Sequence, residues 1–153
     1  MAQYRAWKVA VVAVVALLSA TACGQYDQAH RVVVEESAVK GQWANGEGGT
    51  IALNTDGSFT LSGISEQTMF ASVAGTVRTA AGSWSFFSRS NVSGVRLAGA
   101  WNDASPAPFT VDMALDCHQG KAQLFFDTQQ PASRTNNFER TEGPAACSVT
   151  SAG

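Results

Sequence analysis

Residues 109–126 read FTVDMALDCHQGKAQLFF and contain the clearest strand pattern in the chain. Apolar and polar residues alternate over 109–117, which is typical of a strand with one buried and one wet face. After the polar stretch 118–121 the alternation resumes over 122–126. The two apolar faces coincide if the strands pair Cys117 with Ala122, Leu115 with Leu124, and Met113 with Phe126. This register predicts a hairpin whose loop around Gln119-Gly120 contains an even number of residues.

A second hairpin is predicted upstream, with a different turn. Ile51 and Leu53 share a face with Phe59 and Leu61 only if Leu53 lies opposite Phe59. The three residues 55–57 then form the turn, a type I turn closed by a G1 bulge. Gly57 must adopt the left-handed conformation there, so its replacement by Val is expected to cost more than replacement of Asp56.

Short strands separated by Gly, Asn, Asp and Ser turns indicate an all-β fold. Four more strands are predicted, at 42–44, 82–87, 95–101 and 137–141, which makes eight in all. Short helices are expected only within 31–39 and 65–77. Consecutive antiparallel strands favour a meander that closes into a small lipocalin-like barrel, since closure removes exposed edges. A two-sheet β-sandwich is the alternative. Residues 31–153 are predicted to form a single β domain.

The N-terminal segment has the three-part pattern of a secretory signal. Arg5 and Lys8 precede ten unbroken apolar residues, 9–18, and residues 19–22 are all small. Ten apolar residues are too few for a spanning helix, which needs about 20. Residues 1–22 are therefore predicted to be a signal peptide that is removed, leaving Cys23 at the new N-terminus.

A cysteine directly after the cleavage site resembles a bacterial lipobox. In lipoproteins this thiol receives a diacylglyceryl group, and two acyl chains give stable membrane anchoring. The resemblance implies lipidation of Cys23, a polar tether over 23–30, and a location on the extracytoplasmic face of the cell membrane. Ala20 departs from the Leu usual at that lipobox position. There are two alternatives. The protein could be an ordinary secreted protein with a free Cys23, or residues 1–22 could remain uncleaved as an anchor.

The cysteine count agrees with lipidation. The chain has three cysteines, an odd number that needs an explanation in an exported protein. If Cys23 is lipidated, Cys117 and Cys147 remain as the intramolecular pair, in a compartment where disulfides persist. Two separate buried thiols are the alternative.

Charge and motifs exclude several classes of function. Removal of 1–22 takes away two of the ten basic residues and none of the twelve acidic ones, so the domain is acidic. It lacks the basic face that nucleic acid requires. The sequence has no metal-ligand motif, no nucleophile elbow, and no phosphate-binding Gly-rich loop. The carboxylates, including Asp112 and Asp116, are expected to be solvated. No enzyme activity and no cofactor are predicted.

All three Trp beyond residue 22 occur in Gly-x-Trp: Gly41-Gln42-Trp43, Gly82-Ser83-Trp84 and Gly99-Ala100-Trp101. The first, together with Phe138-Glu139-Arg140, resembles the lipocalin pattern in which an early Trp packs against a late Arg at the closed end of a barrel. Trp43 and Arg140 are the matching residues. With Asp56-Gly57-Ser58-Phe59-Thr60, these motifs also resemble a group of small lipoproteins from actinobacteria. This resemblance implies a location and a β fold, without an activity.

Binding without catalysis is the function that these observations favour. One form of the hypothesis places a small apolar ligand in the barrel, lined by Trp84, Phe86, Trp101 and Met113. The other is a protein-binding or structural module of the cell envelope that has a filled core. Phe86-Phe87 breaks the alternation of its strand, so one ring is expected to face the interior and the other to be covered from outside.

Overall fold

A computed structural model describes residues 32, 34–70, 75–89, 92–103, 106–127, 136–142 and 147 of the chain. The predicted signal peptide (1–22), Cys23 and the tether (23–30) lie outside these residues.

The described residues form a nearly all-β protein. Its eight strands are β1 (Gly41–Ala44), β2 (Thr50–Leu53), β3 (Ser58–Ser65), β4 (Val77–Arg89), β5 (Val92–Trp101), β6 (Pro108–His118), β7 (Lys121–Phe126) and β8 (Phe138–Arg140). Each strand pairs antiparallel with the next, and β8 pairs with β1 to close a barrel. The predicted closed meander is confirmed, and the sandwich alternative is wrong.

Both predicted hairpins have the expected registers. Cys117 pairs with Ala122, and the two-residue turn has Gln119 at φ 52° and Gly120 at φ 77°. Leu53 pairs with Phe59, and Gly57 has φ 82°. The Asn54 and Ser58 backbones join across the three-residue turn by a 2.9 Å hydrogen bond. The apolar pattern therefore specified both loop lengths.

Helical structure occurs within the two predicted segments. A single 3-10 turn spans Glu36–Ala38, and a short helix, α1, spans Glu66–Phe70. Strand β4 is longer than predicted because it begins at Val77 instead of Gly82. Val77 is exposed and residues 78–81 are small or polar, so this segment lacks the apolar alternation of a strand, yet it pairs with β3 on one side. These residues are therefore part of the strand because they pair with neighbouring strands, although their own sequence has no strand-like apolar pattern.

The barrel has two ends, which we call end A and end B. End A is the rim with residues 32 and 34–40, the β2–β3 and β6–β7 turns, and the start of β5. End B is the opposite rim, with α1 and the connections β1–β2, β3–β4, β5–β6 and β7–β8.

The core lies inside the barrel. The largest side chains with almost no exposure include Trp43, Phe59, Phe126, Phe138, Ile51, Leu53, Leu61, Leu97, Met113 and Leu115. In an eight-stranded barrel, side chains of this size fill the interior.

The wet-face prediction is wrong for two residues of β6. Ala114 and Asp116 alternate with the inward residues of β6 but are buried. Asp116 pairs with Gln123, which is also buried. Gln123 accepts a hydrogen bond from Asn137 and donates one to Glu139. Asp116 Oδ1 accepts a 2.8 Å hydrogen bond from the Cys117 backbone N–H. Asp116 is only 4% exposed, so its carboxylate is not a solvated charge.

Candidate functional site

The repeated Gly-x-Trp motif has a packing explanation. Gly82 and Gly99 are direct neighbours on β4 and β5, and Gly82 is also the partner of Phe59. A Cβ on Gly82 would lie 2.9 Å from the Phe59 ring, and a Cβ on Gly99 would lie 2.8 Å from it. Two inward positions without side chains therefore leave the space that one phenyl ring occupies. A Trp two residues further along each strand returns to the same inward face.

The four predicted ligand-lining residues share the inward face of the barrel but do not gather at one site. Trp84 is 7% exposed, and its indole N–H donates to the Asn54 carbonyl at 2.9 Å, next to end A. Trp101 lies at the end B rim, with its ring centroid 5.1 Å from that of Phe109. Met113 is fully buried. Each of these three side chains packs in the core.

The Phe86-Phe87 pair divides between the two faces of the barrel wall. Phe86 pairs with Val95, which pairs with Met113, so Phe86 belongs to the inward series. Phe87 belongs to the opposite face and pairs with Gly94. A Cβ on Gly94 would lie 2.6 Å from the Phe87 ring, so this ring covers the glycine. The Arg89 guanidinium lies 5.5 Å from the ring centroid. Both rings are half-buried, and the outer one is covered by its own neighbours.

Trp43 and Arg140, the two residues matched to the lipocalin pattern, lie side by side on neighbouring strands. They are direct partners between β1 and β8. Trp43 is fully buried and donates its indole N–H to the Val39 carbonyl at 2.8 Å. Gly41 has φ 127°, and a Cβ there would lie 3.2 Å from Arg140 Nε. The missing side chain therefore makes room for the guanidinium at end A.

Cys117 and Cys147 also join at end A. They form a disulfide-bonded pair with their Cα atoms 5.8 Å apart. The Cys147 backbone N–H donates to the Gly120 carbonyl in the β6–β7 turn at 3.2 Å. This pairing, which the cysteine count indicated, attaches the C-terminal part of the chain to the β6–β7 hairpin.

One open cavity of about 310 Å³ lies on the barrel wall towards end B. Its lining residues are Phe70, Arg96, Thr110, Val111, Asp112 and Asp127. Strand β7 pairs with β6 only from Met113 onwards, so Val111 and Asp112 lie where β7 has ended. Phe70, the last residue of α1, contributes one wall. A volume near 300 Å³ is at the lower end of small-molecule sites.

The polar part of this cavity is fixed by an ion pair. Arg96 Nε and one terminal guanidinium nitrogen each donate to a carboxylate oxygen of Asp112 at 2.7 Å. This two-pronged bond lowers the pKa of Asp112 below its usual value and keeps the carboxyl ionised. The Asp127 backbone N–H donates to the Asp112 carbonyl at 3.0 Å. The cavity therefore offers apolar surface from Phe70 and Val111, charged groups, and the Thr110 hydroxyl.

None of the four predicted ligand-lining residues borders this cavity. Sequence reasoning missed it because its residues come from α1, β5, β6 and the residue after β7, which are far apart in the chain. The one feature of the sequence that could have indicated this site is the opposite charge of Arg96 and Asp112, because oppositely charged residues stabilise a sheet when they lie opposite each other on neighbouring strands.

Among the described residues, no cluster of three or more His, Cys, Asp or Glu is placed to hold a metal ion. No helix in the described ranges is long and apolar enough to cross a membrane. No protein-family model, curated protein or solved structure matches the chain.

Proposed function

We propose that this protein is a lipid-anchored, extracytoplasmic β-barrel that binds a small ligand without catalysis. The location rests on the signal-like segment 1–22 followed by Cys23, and on the pairing of the other two cysteines with each other. The ligand-binding part rests on one observation, the open cavity of about 310 Å³ at end B.

The chemistry of the cavity suggests an amphipathic ligand. Phe70 and Val111 supply apolar contact, while Arg96 and Asp112 hold each other in one geometry and leave carboxylate and guanidinium edges for hydrogen bonds. The barrel interior is a less suitable site, since fully buried side chains such as Trp43, Phe59 and Met113 already occupy it.

Intact-mass analysis tests the anchor. Protein extracted from membranes of its own host should begin at Cys23, with a mass increase equal to a diacylglyceryl group, and should gain two protons on reduction. An unmodified chain in the culture medium would contradict the anchor.

Titration with the fluorescent amine 1-aminoanthracene tests the ligand site. Its rings suit Phe70 and Val111, and its amine can donate to a carboxylate. Binding in an apolar site should increase the fluorescence emission of the dye. Thr110→Phe should fill the cavity and abolish this increase. Thr79→Phe is the matched control, because Thr79 is exposed and lies outside the cavity lining. If Phe86→Leu removes binding and Thr110→Phe does not, the ligand binds in the barrel interior.

A protein-binding or structural envelope module is the second candidate, and the filled interior favours it. Val77, at the start of β4, is the one large hydrophobic residue of the described chain that is exposed, at 68%. Absence of dye binding, together with a specific cross-link from a photoreactive residue at position 77 in intact membranes, would support this function over ligand binding.

A further inference from the structure

We propose that end A faces the membrane in the anchored protein and that end B, with its cavity, faces the aqueous side. This inference rests on the proposed anchoring through Cys23. It adds a membrane-facing surface and a direction from which ligand reaches the cavity.

The chain enters the barrel at end A. The Val32 carbonyl accepts a 3.0 Å hydrogen bond from the Ser93 N–H, and the Val34 N–H donates to Ser93 Oγ at 3.1 Å. Val32 is 3% exposed, and Ser93, near the start of β5, is fully buried. The segment that leads from the anchor is therefore fixed to the barrel at this rim.

The length of the tether favours one orientation of the barrel. Nine peptide steps separate Cys23 from Val32. Even when fully extended, they span at most about 32 Å. Strand β5 has ten residues and extends about 25 Å along the axis of a tilted barrel. If end B faced the membrane, Val32 would be held about that far above it, and the tether would lose entropy by stretching.

The charges of the two rims favour the same orientation. Among the described residues, end A combines acidic and basic groups in equal number: Glu35, Glu36, Asp56 and Glu142 with Lys40, Arg89, Lys121 and Arg140. The described residues of end B include one basic group, Arg78, and four acidic groups: Glu47, Glu66, Asp103 and Asp127. As far as these described groups are concerned, anionic headgroups repel end B and interact almost neutrally with end A.

Paramagnetic broadening in membrane discs tests the proposal. Isotope-labelled protein is extracted from membranes, its acylated mass is confirmed, and it is placed in discs that contain phosphatidylglycerol and a lipid with a gadolinium-chelating headgroup. The amide signals of Gly57 and Lys121, at end A, should broaden several-fold more than those of Val77 and Asp103, at end B. Equal or reversed broadening would overturn the orientation.

Two further comparisons separate the causes. A Gly/Ser insertion after His30 that doubles the tether should reduce the difference between the ends. Replacing phosphatidylglycerol with phosphatidylcholine should reduce it by a smaller amount, which isolates the charge contribution. If the extracted protein has no acyl groups, the proposed anchor fails and the orientation fails with it. If the acylated protein shows no difference between the ends, the orientation alone fails.

Discussion

The two ends of the barrel are built in different ways. At end A, residues far apart in sequence meet: Trp43 with Arg140, Ser93 with Val32, and Cys117 with Cys147. At end B, the rim consists of connections between consecutive strands and the five-residue helix α1. The open cavity lies towards end B.

We therefore expect end A to contribute most to the stability of the barrel and end B to contain the binding site. Long-range contacts at end A hold both ends of the described chain to the barrel, so the wall there tolerates little change. The contacts of the helix at end B include the fully buried Met69, an ion pair of 2.8 Å between Glu66 and Arg78, and the Phe70 ring at 6.2 Å from that of Phe109. An open site can form beside such a rim without weakening closure of the sheet.

Trp43→Ala should be the most destabilising single substitution at either end of the barrel. It leaves a large cavity at end A and should lower the free energy of unfolding by about 3–5 kcal/mol, measured by urea denaturation with circular dichroism. Trp43→Phe keeps an aromatic ring but loses the N–H donated to Val39, so its cost should be about 1–2 kcal/mol. Equal costs for the two variants would mean that the indole hydrogen bond, rather than ring volume, closes end A.

Met69→Ala gives the corresponding test at end B. Met69 is fully buried, but α1 is short and lies at the rim, where it can settle into the gap. The expected loss is about 2–3 kcal/mol in the same denaturation experiment. A loss larger than that of Trp43→Ala would reverse the assignment of stability to end A.

Gly57→Val tests backbone strain at the β2–β3 turn of end A. Valine at φ 82° is disfavoured, and the Gly57 carbonyl accepts a 2.8 Å hydrogen bond from the Trp84 N–H, which limits rearrangement. The expected cost is about 1–2 kcal/mol. Asp56→Ala should cost less, because Asp56 is exposed and its carboxylate bonds only to Ser58. A larger effect at Asp56 would show that the side-chain bonds, rather than the left-handed residue, define this turn.

The smallest effect is expected at the Arg96–Asp112 pair of the cavity. Because Arg96 lowers the pKa of Asp112 below 3.8, the pair stabilises the fold above that pH. This contribution is lost as the pH falls through the lowered pKa. In an NMR titration of the Asp112 carboxyl, Arg96→Gln should raise the midpoint towards 3.8, and Arg89→Gln should raise it less, since Arg89 contributes only weakly. An unchanged midpoint in Arg96→Gln would mean that the pair is not formed in solution.

The two hairpin registers could be predicted because each of those strands has a clear apolar face. The run of consecutive short strands favoured a closed meander, but apolar faces do not specify strand order or closure, which the structure supplies. Because side chains alternate between the two faces of a strand, only one register keeps both apolar sets on the same face. The pairing of Leu115 with Leu124 is an example. Parity also placed Met113 on the inward face, and Trp84 and Trp101 were expected to line the interior with it. Parity could not place them relative to each other, since position along the barrel axis depends on strand tilt and on neighbours.

The cavity and the burial of Asp116 could not be predicted for a different reason. Both involve outward-facing positions, where polar residues such as Gln123 and Thr110 follow the pattern of an ordinary wet face. Whether an outward residue is exposed depends on what packs over it, and that is a long-range property without a local sequence signal.

The arrangement of end A has a consequence for protein engineering. The described chain enters the barrel beside Ser93 and returns to the same rim at Cys147. A peptide inserted in the connection between β5 and β6 would therefore emerge from the opposite rim, away from both attachment points. Such a barrel could serve as a display scaffold, with a closed base for fusion and an opposite rim open to grafted sequence.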